Sequence, residues 1–434
     1  MFVAIDDTDS RTGMCTTFLA TEIAYAMRQF DLIGLPRLVR LNPAIPWKTR
    51  GNAALCLRFG RGKGPATMAA VVRDMPLFSY GRSVRDPDPE MVRSLLLPIL
   101  KKWSRVEEEA SPGLVISAKA PAPSLYWKAV RGVVPREEAE AALDAVGAIR
   151  STLNGGRGII GAAAAMAWRP KDRTYEVITY REPSRWGTPR EVEAESVRAF
   201  NERISSTFNT WDESCAQMAI APHTPCPVLF GIRGDAPGDL VRALGTVRSE
   251  PIDRWMLFLS NQGTDDHVIR RPRGLEVGGT YLLSGTVESS GNIVKGGHVI
   301  VPLRTRFGVL DCVFYEPSRS FREVGRALRA GDHIEVVGEL RTDPKAINVE
   351  KVHVLNVAAT LQKVANPFCH TCDKSMQSLG AGAGYRCRRC GGKAAAEEAT
   401  YIAETRTIAP GWYEPPVCAR RHLAKPLKRQ LTSS

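Results

Sequence analysis

Four cysteines near the end of the chain constrain the fold more tightly than any other feature of the sequence. They follow the spacing Cys369-x2-Cys372 and Cys387-x2-Cys390, with fourteen residues between the two pairs. Each pair supplies two thiolates from one tight knuckle, and two knuckles close a tetrahedral four-sulfur shell around zinc. Because protein ligands fill all four positions, the spacing predicts a structural zinc ribbon and not a catalytic metal centre.

The chain carries an excess of positive charge. Its 434 residues include 59 Lys and Arg against 46 Asp and Glu, a formal charge of +13. A polyanionic partner is therefore expected, and a basic surface kept only for solubility is the alternative. The ribbon and the tail after it are predicted to contact phosphate through Arg386, Arg388, Arg389, Arg420, Arg421, His422, Lys425, Lys428 and Arg429.

Short apolar runs alternate with helical patterns in the first part of the chain, which favours an α/β fold. Strands are predicted at 2–7, 37–41 and 53–59, and helices at 15–30 and 91–103. The N-terminus lacks the basic start and apolar stretch of an export signal. The longest weakly polar run, residues 158–168, is too short for a bilayer span of about 20 residues. A cytoplasmic protein with no membrane association is expected, and the scattered cysteines fit a reducing compartment.

A proline-rich break at 120–123 opens a segment with the order of a small α+β layer. We place this segment at 118–225, as an insertion in the α/β pattern, which resumes with a strand at 227–234. Within the insertion, LYWKAV at 125–130 is predicted to be a strand.

After residue 275 the pattern changes to alternating strands broken by glycine. Five strands with one helix between the third and the fourth follow, which is the order of an oligonucleotide-binding barrel. An unrelated small barrel is the alternative.

Three aspartates crowd the end of the first predicted strand. Asp6, Asp7 and Asp9 fall within four positions. Two carboxylates ~4 Å apart repel by roughly 4 kcal/mol at an effective dielectric near 20. Carboxylate oxygens at the carboxyl end of a strand suit Mg²⁺, which usually arrives with substrate phosphates. A metal–nucleotide site is one interpretation, and an exposed turn in which Asp9 or Ser10 caps the next helix is the other.

Three basic turns that contain glycine favour the nucleotide site. They are WKTRGN at 47–52, NGGRG at 154–158 and GIRG at 231–234. Backbone amides and guanidinium groups in such turns can face an anion. Neither a GxxxxGK[ST] nor a GxGxxG motif is present in the sequence, so a nucleotide site here would be non-standard.

Several motifs occur together and in order along the chain. They are D-D-T-D-S-x-x-G-M-C-T-T, K-T-R-G-N, N-G-x-R-G-x-I-G-A, P-V-L-F-G-I-R-G, N-Q-G-T-D-x-H and the four-cysteine ribbon. In this combination the chain resembles the archaeal tRNA agmatidine synthetase family, from residue 1 to about residue 425. Two positions depart from the family pattern: Cys226 stands where an acidic residue is frequent, and Thr224 where glycine is usual.

The resemblance implies an ATP-dependent ligase. Such an enzyme joins agmatine to the wobble cytidine of the CAU-anticodon isoleucine tRNA, forms agmatidine (2-agmatinylcytidine) and releases AMP and diphosphate, so that the tRNA reads AUA. The implied architecture is a multidomain α+β fold. It comprises an atypical kinase-like α/β domain that binds ATP (1–117 and 226–272), a ferredoxin-like domain that binds agmatine (118–225), an OB-fold barrel that binds tRNA (273–358), and the zinc ribbon with its basic tail (359–434).

The resemblance also implies roles for individual residues. Thr16, after the cysteine of the first motif, corresponds to a phosphate-accepting threonine, with Thr17 as a second candidate. Asp6, Asp7 and Asp9 take the catalytic and Mg²⁺-binding positions. The candidates for ATP and its phosphates are Thr8, Ser10, Lys48, Arg50, Arg233, Asn261, Gln262 and Asp265.

Agmatine carries a guanidinium and an amine, so its pocket should offer acids and an aromatic face. The stretch Phe208–Asp212 supplies both types, and an ordinary packed turn is the alternative there. The candidate residues for agmatine are Asn154, Arg157, Thr210, Trp211 and Asp212.

Two other functions are compatible with the residues. A non-catalytic RNA-binding protein would use the barrel and the ribbon and leave the acidic motif as a turn. A phosphotransferase that acts on itself through Thr16 would use the same site without agmatine.

Overall fold

The computed structural model describes residues 1–380 and 382–431. The strands of its first part are β1 Phe2–Asp6, β2 Asp31–Ile33, β3 Arg37–Arg40, β4 Ala53–Val72, β5 Met75–Arg85, β6 Gly113–Ser117, β7 Ile149–Thr152, β8 Thr174–Arg181, β9 Thr207–Phe208, β10 Trp211–Asp212, β11 Gln217–Met218, β12 Val228–Gly234 and β13 Ile252–Ser260. The helices are α1 Thr16–Ala26, α2 Pro89–Trp103, α3 Pro123–Arg131, α4 Arg136–Asp144, α5 Ile159–Ala167, α6 Ala194–Arg203 and α7 Pro237–Leu244.

One large sheet unites eleven of these strands, and β10 and β11 form a separate pair. Its order is β7-β6-β1-β4-β3-β13-β8-β12-β9, and β2 and β5 pair beside β4. β8 comes from the segment predicted as an insertion, yet it lies between β13 and β12 of the resumed α/β pattern. Strands from both segments therefore share one set of backbone hydrogen bonds.

Helices cover both faces of this sheet because β1 is apolar on both sides. Val3 and Ile5 pack with α1 and α2, whereas Phe2 and Ala4 pack with α3, α4 and α5. α5 is built from alanine and other small or apolar residues and is almost wholly buried. Such a helix fits inside a core and has no solvent face to display.

The prediction of a strand at 125–130 is wrong, because these residues lie in α3. Pro123 stands in the first turn of this helix, where its missing N–H costs nothing. Leu125, Tyr126, Ala129 and Val130 are buried, which is the spacing of one helix face. Periodicity of 3.6 outweighs the strand preference of the aromatic and β-branched residues.

The second part of the chain forms a closed five-stranded barrel. Its elements are β14 Val268–Ile269, β15 Thr280–Val287, β16 Asn292–Ile293, β17 Val299–Thr305, β18 Gly308–Phe314, α8 Phe321–Ala327, β19 His333–Thr342 and β20 Lys345–Asn356. The main strands follow the order β15-β19-β20-β18-β17, and pairing of β17 with β15 closes the ring. β18 and β20 run parallel, and the other neighbours among these five strands are antiparallel. The short strand β14 pairs parallel with β15. The predicted order of five strands and one helix is confirmed.

The last part of the chain forms the ribbon and then runs back to pack on the barrel and the large sheet. Its elements are β21 Leu361–Ala365, β22 Gln377–Ser378, β23 Tyr385–Arg386, β24 Lys393–Ala394, β25 Thr400–Ala403, β26 Gly411–Tyr413 and α9 Leu427–Leu431. β26 pairs with β20 of the barrel. No helix among the described residues is both long and apolar enough to cross a bilayer.

Candidate active site

The acidic motif forms a loop between β1 and α1. The backbone of Asp7 is left-handed, with φ 56°, a conformation that aspartate tolerates better than most residues. The interpretation that Asp9 or Ser10 caps the following helix is wrong, because α1 begins at Thr16 and its N-cap residue is Cys15. The loop is therefore not a simple helix cap.

The first turn of α5 packs directly against this loop. A Cβ atom at Gly158 would lie 2.3 Å from the carbonyl oxygen of Asp6. A Cβ at Gly161 would lie 1.8 Å from its Oδ2 atom. Both distances are far below van der Waals contact, so glycine at these positions is what lets the helix approach the carboxylate.

The three carboxylates differ in their partners and in their pKa values. Arg157 donates to Oδ2 of Asp7 from Nη2 at 2.9 Å, and Arg50 lies 3.2 Å from Oδ2 of Asp9. Burial, together with the charges of Asp7 and Asp9, raises the pKa of Asp6 to about 8. Burial and Asp7 also raise the pKa of Asp9 to about 6, against the opposing charge of Arg50. Asp6 and Asp9 thus hold their protons to a higher pH than free aspartate, and a bound cation would stabilise their ionised forms.

Thr16 stands at the first turn of α1, close to these acids. The Oγ1 atom of Thr8 donates a hydrogen bond to Oγ1 of Thr16 at 3.1 Å. Thr8 is fully buried and Thr16 is nearly so. The hydroxyl of Thr16 is therefore held in place by a buried neighbour at the edge of the acidic loop.

A cavity of about 770 Å³ opens between this loop, the strands β8 and β12, and the end of the chain. This volume suits a ligand pocket. Nine predicted site residues line it together: Asp6, Asp7, Asp9, Thr16, Lys48, Arg50, Arg157, Asp212 and Arg233. They come from distant stretches of the sequence, and the fold brings them to one place.

Two of these residues have partners that alter their predicted roles. Arg157, predicted to contact agmatine, pairs instead with Asp7 and so neutralises one carboxylate of the acidic loop. Arg50 donates to the carbonyl oxygens of Ser10 and Met14, at 2.5 and 2.8 Å, and so also fixes the shape of that loop.

The three polar candidates at the end of β13 do not line the cavity. Asn261 bonds both backbone groups of Arg40, accepting at 2.7 Å and donating at 2.8 Å. Gln262 donates to the carboxylate of Glu176. Asp265 pairs with Lys351 of the barrel at 2.7 Å. These side chains join parts of the fold, and the structure does not bring them into the cavity.

Five other candidates also lie outside the cavity lining. They are Thr8, Ser10, Asn154, Thr210 and Trp211. Ser10 donates to Glu108, and Asn154 donates to the carbonyl of Ala110 at 3.0 Å. Trp211 packs into an apolar cluster beneath β12. In the loop predicted for agmatine, Asn209 and Asp212 are the residues that face the cavity.

Asp212 is suited to a cationic ligand. Although burial opposes it, hydrogen bonds from the hydroxyl of Ser214 and the N–H of Cys418 hold the pKa of Asp212 below its usual value. The Ser214 bond is 2.6 Å and the Cys418 bond is 2.8 Å. The carboxylate is therefore ionised and its orientation is fixed.

Sequence reasoning did not place Arg40 in the cavity wall, where it lies with Arg233, a predicted phosphate ligand, and with His422, which was predicted to contact phosphate as part of the tail. The charge of Arg40, then burial, then the charge of Arg233 hold the pKa of His422 well below its ordinary value. The ring is thus neutral near pH 7. The signal that could have found Arg40 is its charge at the end of β3, a short strand whose two central residues are apolar and buried.

The tail does not extend the basic surface of the ribbon, as was predicted, but packs on the large sheet and the barrel. Arg420 pairs with Glu414, Arg421 with Glu339, and Lys425 and Arg429 with Asp172. These acids pair with four of the six tail groups that were predicted to contact phosphate. The phosphate contacts of the tail therefore stay a prediction.

The ribbon cysteines meet as predicted. The Sγ atoms of Cys369, Cys372, Cys387 and Cys390 all lie within 4.8 Å of one another. Four converging thiols in two knuckles are the donor set of structural zinc, so these residues fit the ion. The second such group among the described residues is Asp212, Cys215 and Cys418, whereas the three loop aspartates are not drawn together so closely.

These features define a multidomain enzyme, in which a large charged cavity is joined to a small barrel and a zinc ribbon. Family models match the chain in three places. The model described as the TiaS TCKD domain matches residues 2–155, the TiaS FLD domain model matches 156–267, and the TiaS C-terminal zinc ribbon domain model matches 366–408.

Similar proteins extend this result over the full length. The isoleucine tRNA 2-agmatinylcytidine synthetase TiaS of Archaeoglobus fulgidus is 37% identical over 440 residues, covering 99% of this chain and 97% of that protein. The same enzyme of Methanosarcina acetivorans is 35% identical over 447 residues, with the same coverage of both chains. The chain therefore belongs to the TiaS family, and the resemblance seen in its motifs is confirmed.

Solved structures of TiaS proteins also resemble this chain over nearly its full length. The crystal structure of TiaS in complex with isoleucine tRNA and ATP has a TM-score of 0.85 at 35% identity, covering 99% of this chain and 97% of that one. The crystal structure of TiaS with isoleucine tRNA, AMPCPP and agmatine has a TM-score of 0.82 at 33% identity, covering 99% and 96%.

Proposed function

We infer that this protein is an ATP-dependent ligase that joins agmatine to the wobble cytidine of the CAU-anticodon isoleucine tRNA. The product is agmatidine, with AMP and diphosphate released. One observation carries the inference for this chain: the acidic loop, Thr16 and the ionised Asp212 line the same cavity. An activating site and a site for a cationic amine are thus adjacent, and full-length relatives bear the name of this activity.

We propose that the domains are those that the resemblance implies. The strand order of the barrel, with its parallel β18–β20 pair, supports an OB fold. The antiparallel trio β13, β8 and β12, with α6 and α7 packed on it, supports a ferredoxin-like unit, to which β12, α7 and β13 would then belong in place of the kinase-like domain expected at 226–272. A tRNA substrate also supports the predicted cytoplasmic location.

Asp6, Asp7 and Asp9 would hold Mg²⁺ with the phosphates of ATP. The donor set fits, because Mg²⁺ is usually bound by one or two carboxylates and keeps several waters, so close convergence of all three acids is not required. When bound, the ion supplies positive charge to the phosphates. Arg233 and Arg40, which line the same cavity, would contact the same phosphates.

The reaction needs an activated cytidine. Joining an amine to C2 requires the C2 oxygen to leave, and it leaves readily as phosphate once it carries a phosphoryl group from ATP. Because that transfer leaves ADP, release of AMP requires water to split off a second phosphate, and the two phosphates together have the phosphorus count of diphosphate. Thr16, beside the acids at the start of α1, would accept or position the phosphoryl group. Asp212 would bind one cationic end of agmatine and orient its amine toward the activated base. A base in a stacked anticodon must be extruded to reach the cavity.

The direct test is an assay with the purified protein, Mg²⁺, ATP, agmatine and the isoleucine tRNA transcript. We expect agmatine-dependent release of AMP and a heavier cytidine nucleoside in the digested tRNA. Release of AMP without agmatine would instead favour self-phosphorylation through Thr16. RNA binding without AMP or the heavier nucleoside would show that the protein binds RNA but does not catalyse the reaction.

Magnesium binding should depend on pH in a defined direction. Ionised carboxylates bind the cation and protonated ones do not, so affinity should fall as pH drops below about 8 and again below about 6. Unfolded aspartate titrates near 3.9, so without metal the raised pKa values of Asp6 and Asp9 favour the fold at low pH. The stabilisation from Asp9 is lost as pH rises through about 6, and that from Asp6 as pH rises through about 8. We expect added Mg²⁺ to raise the Tm more at pH 8.5 than at pH 6, and equal shifts would contradict the site.

Loss of zinc should act on RNA binding more than on nucleotide binding. The Cys387→Ser variant breaks the four-thiol shell, which lies outside the residues that line the cavity. We expect tRNA affinity to fall at least about 10-fold, with ATP affinity within about 2-fold of the wild type. Cys56→Ser, a buried thiol of β4, is the matched control. Equal losses of tRNA and ATP affinity would mean that the ribbon supports the whole fold.

A further inference from the structure

The last residues of the chain return from the barrel to the active-site cavity. We call residues 414–431 the return segment. After β26, its backbone crosses to the large sheet, where the N–H of Gly263 donates to the carbonyl of His422 at 2.8 Å. The N–H of Asp265 donates to the carbonyl of Leu423 at 2.9 Å, and the side chain of Leu423 is buried in the core beside α5. The segment is thus an integral part of the fold.

The return segment contacts four residues of one six-residue loop in the cavity wall. We call Thr207–Asp212 the amine loop. Nη1 of Arg420 donates to Oδ1 of Asn209 at 2.5 Å. The N–H of Cys418 donates to Oδ2 of Asp212 at 2.8 Å, and Nζ of Lys428 donates to the carbonyl of Thr207 at 2.7 Å. The guanidinium of Arg429 lies over the ring of Phe208, 5.6 Å from its centroid.

Arg420 is itself rigidly held. Its Nη2 atom donates to Oε1 of Glu414 at 2.6 Å and to the carbonyl of Pro415 at 3.2 Å. Its side chain is 8% exposed. A charge-assisted bond from a buried, fixed guanidinium is stronger and more directional than one from a mobile surface arginine. Arg420 can therefore set the position of Asn209, and through the adjacent backbone the position of Asp212.

The other side of the segment is tied to the barrel. Lys351 of β20 pairs with Asp265 at 2.7 Å, and the N–H of Lys425 donates to the same carboxylate at 2.6 Å. Arg421 reaches Glu350 of β20 at 3.1 Å. The return segment is thus fixed between the barrel and the amine loop.

We propose that the return segment positions the amine loop, and that Arg420 is a positioning residue for the amine co-substrate. The proposal rests on the function proposed above, because it assumes that Asp212 binds a cationic amine. It assigns to the end of the chain a role in amine recognition that is separate from the zinc ribbon that precedes it.

The test is the steady-state kinetics of the full-length protein. In Arg420→Ala, we expect the KM for agmatine to rise about 10- to 100-fold, because the contact that holds Asn209, the other residue of the loop that faces the cavity, is lost. At saturating agmatine, kcat and the KM for ATP should remain within about 3-fold of wild type, since Arg420 touches neither Thr16 nor the acidic loop. Arg242→Ala removes a 74% exposed arginine that pairs with Asp239, and is the matched control.

A double-mutant cycle shows whether the effect passes through Asn209. Asn209→Gly removes the same hydrogen bond and tolerates the left-handed backbone of that residue, φ 53°. The double variant should have the agmatine KM of the more impaired single variant.

Three results would overturn the proposal: an unchanged agmatine KM in Arg420→Ala, equal rises in the KM values for agmatine and ATP, or multiplying effects in the double variant. An inactive wild-type protein would instead refute the function itself. Thermal unfolding of each variant, measured in parallel, checks that the loss is not one of folding.

Discussion

The Asp7→Asn variant will form agmatidine at least about 10²-fold more slowly than the wild-type protein, because one preorganised charge at the phosphate site is lost. Asparagine keeps the size of the side chain and tolerates the left-handed backbone of residue 7, φ 56°, which alanine would strain. The substitution therefore removes charge with little change of shape. The affinity of the Asp7→Asn variant for tRNA should be unchanged, since the substitution does not alter the barrel or the ribbon.

Initial rates with saturating substrates and a separate tRNA-binding titration measure the two effects. Asp144→Asn is the matched control, because Asp144 is 63% exposed and pairs with Arg150 far from the cavity lining. Turnover within about 3-fold of wild type would show that Asp7 does not act on the phosphates. A parallel loss of tRNA affinity would show that the loop supports the fold.

The second large effect is expected at Thr16. Thr16→Val replaces the hydroxyl by a methyl group of similar size, and it should lower AMP release at least about 10³-fold if this hydroxyl accepts phosphate. Thr16→Ser retains the hydroxyl and should keep most of the activity. Comparing the two variants separates the chemistry of the hydroxyl from the packing of α1.

Thr17→Val is the control for this prediction. Thr17 also lines the cavity and is buried to a similar degree, but its hydroxyl lies near Sγ of Cys15, at 3.0 Å. A loss at Thr17 with none at Thr16 would move the phosphate-accepting role by one residue. Mass spectrometry of the protein after incubation with ATP would locate any phosphothreonine directly.

Local sequence patterns predicted much of this molecule, because their physical cause is local. Two Cys-x-x-Cys knuckles can close on one metal wherever the rest of the chain lies. The aspartates follow a strand directly, so the turn that carries them is set by neighbouring residues. The five barrel strands are visible because apolar and polar residues alternate along them.

What the sequence did not reveal depends on distant contacts. Asn261 and Asp265 have the polar character of ligand-binding residues, but the partners that occupy them, Arg40 and Lys351, are remote in sequence. The basic tail looked like a phosphate-binding surface, because the acids that pair with it lie up to 257 positions away. Charge can be counted in a sequence, whereas its neutralisation requires the fold.

The continuity of the large sheet bears on how this protein can be divided or recombined. The matches to the TiaS TCKD and TiaS FLD domain models meet between residues 155 and 156. Nevertheless, β13 from the second matched region pairs with β3 and β4 from the first. Separating the halves at that junction would leave unpaired strand edges on both fragments, which invites aggregation. Swapping either of these two regions with that of a relative must therefore preserve the register of β13 against β3 and β4.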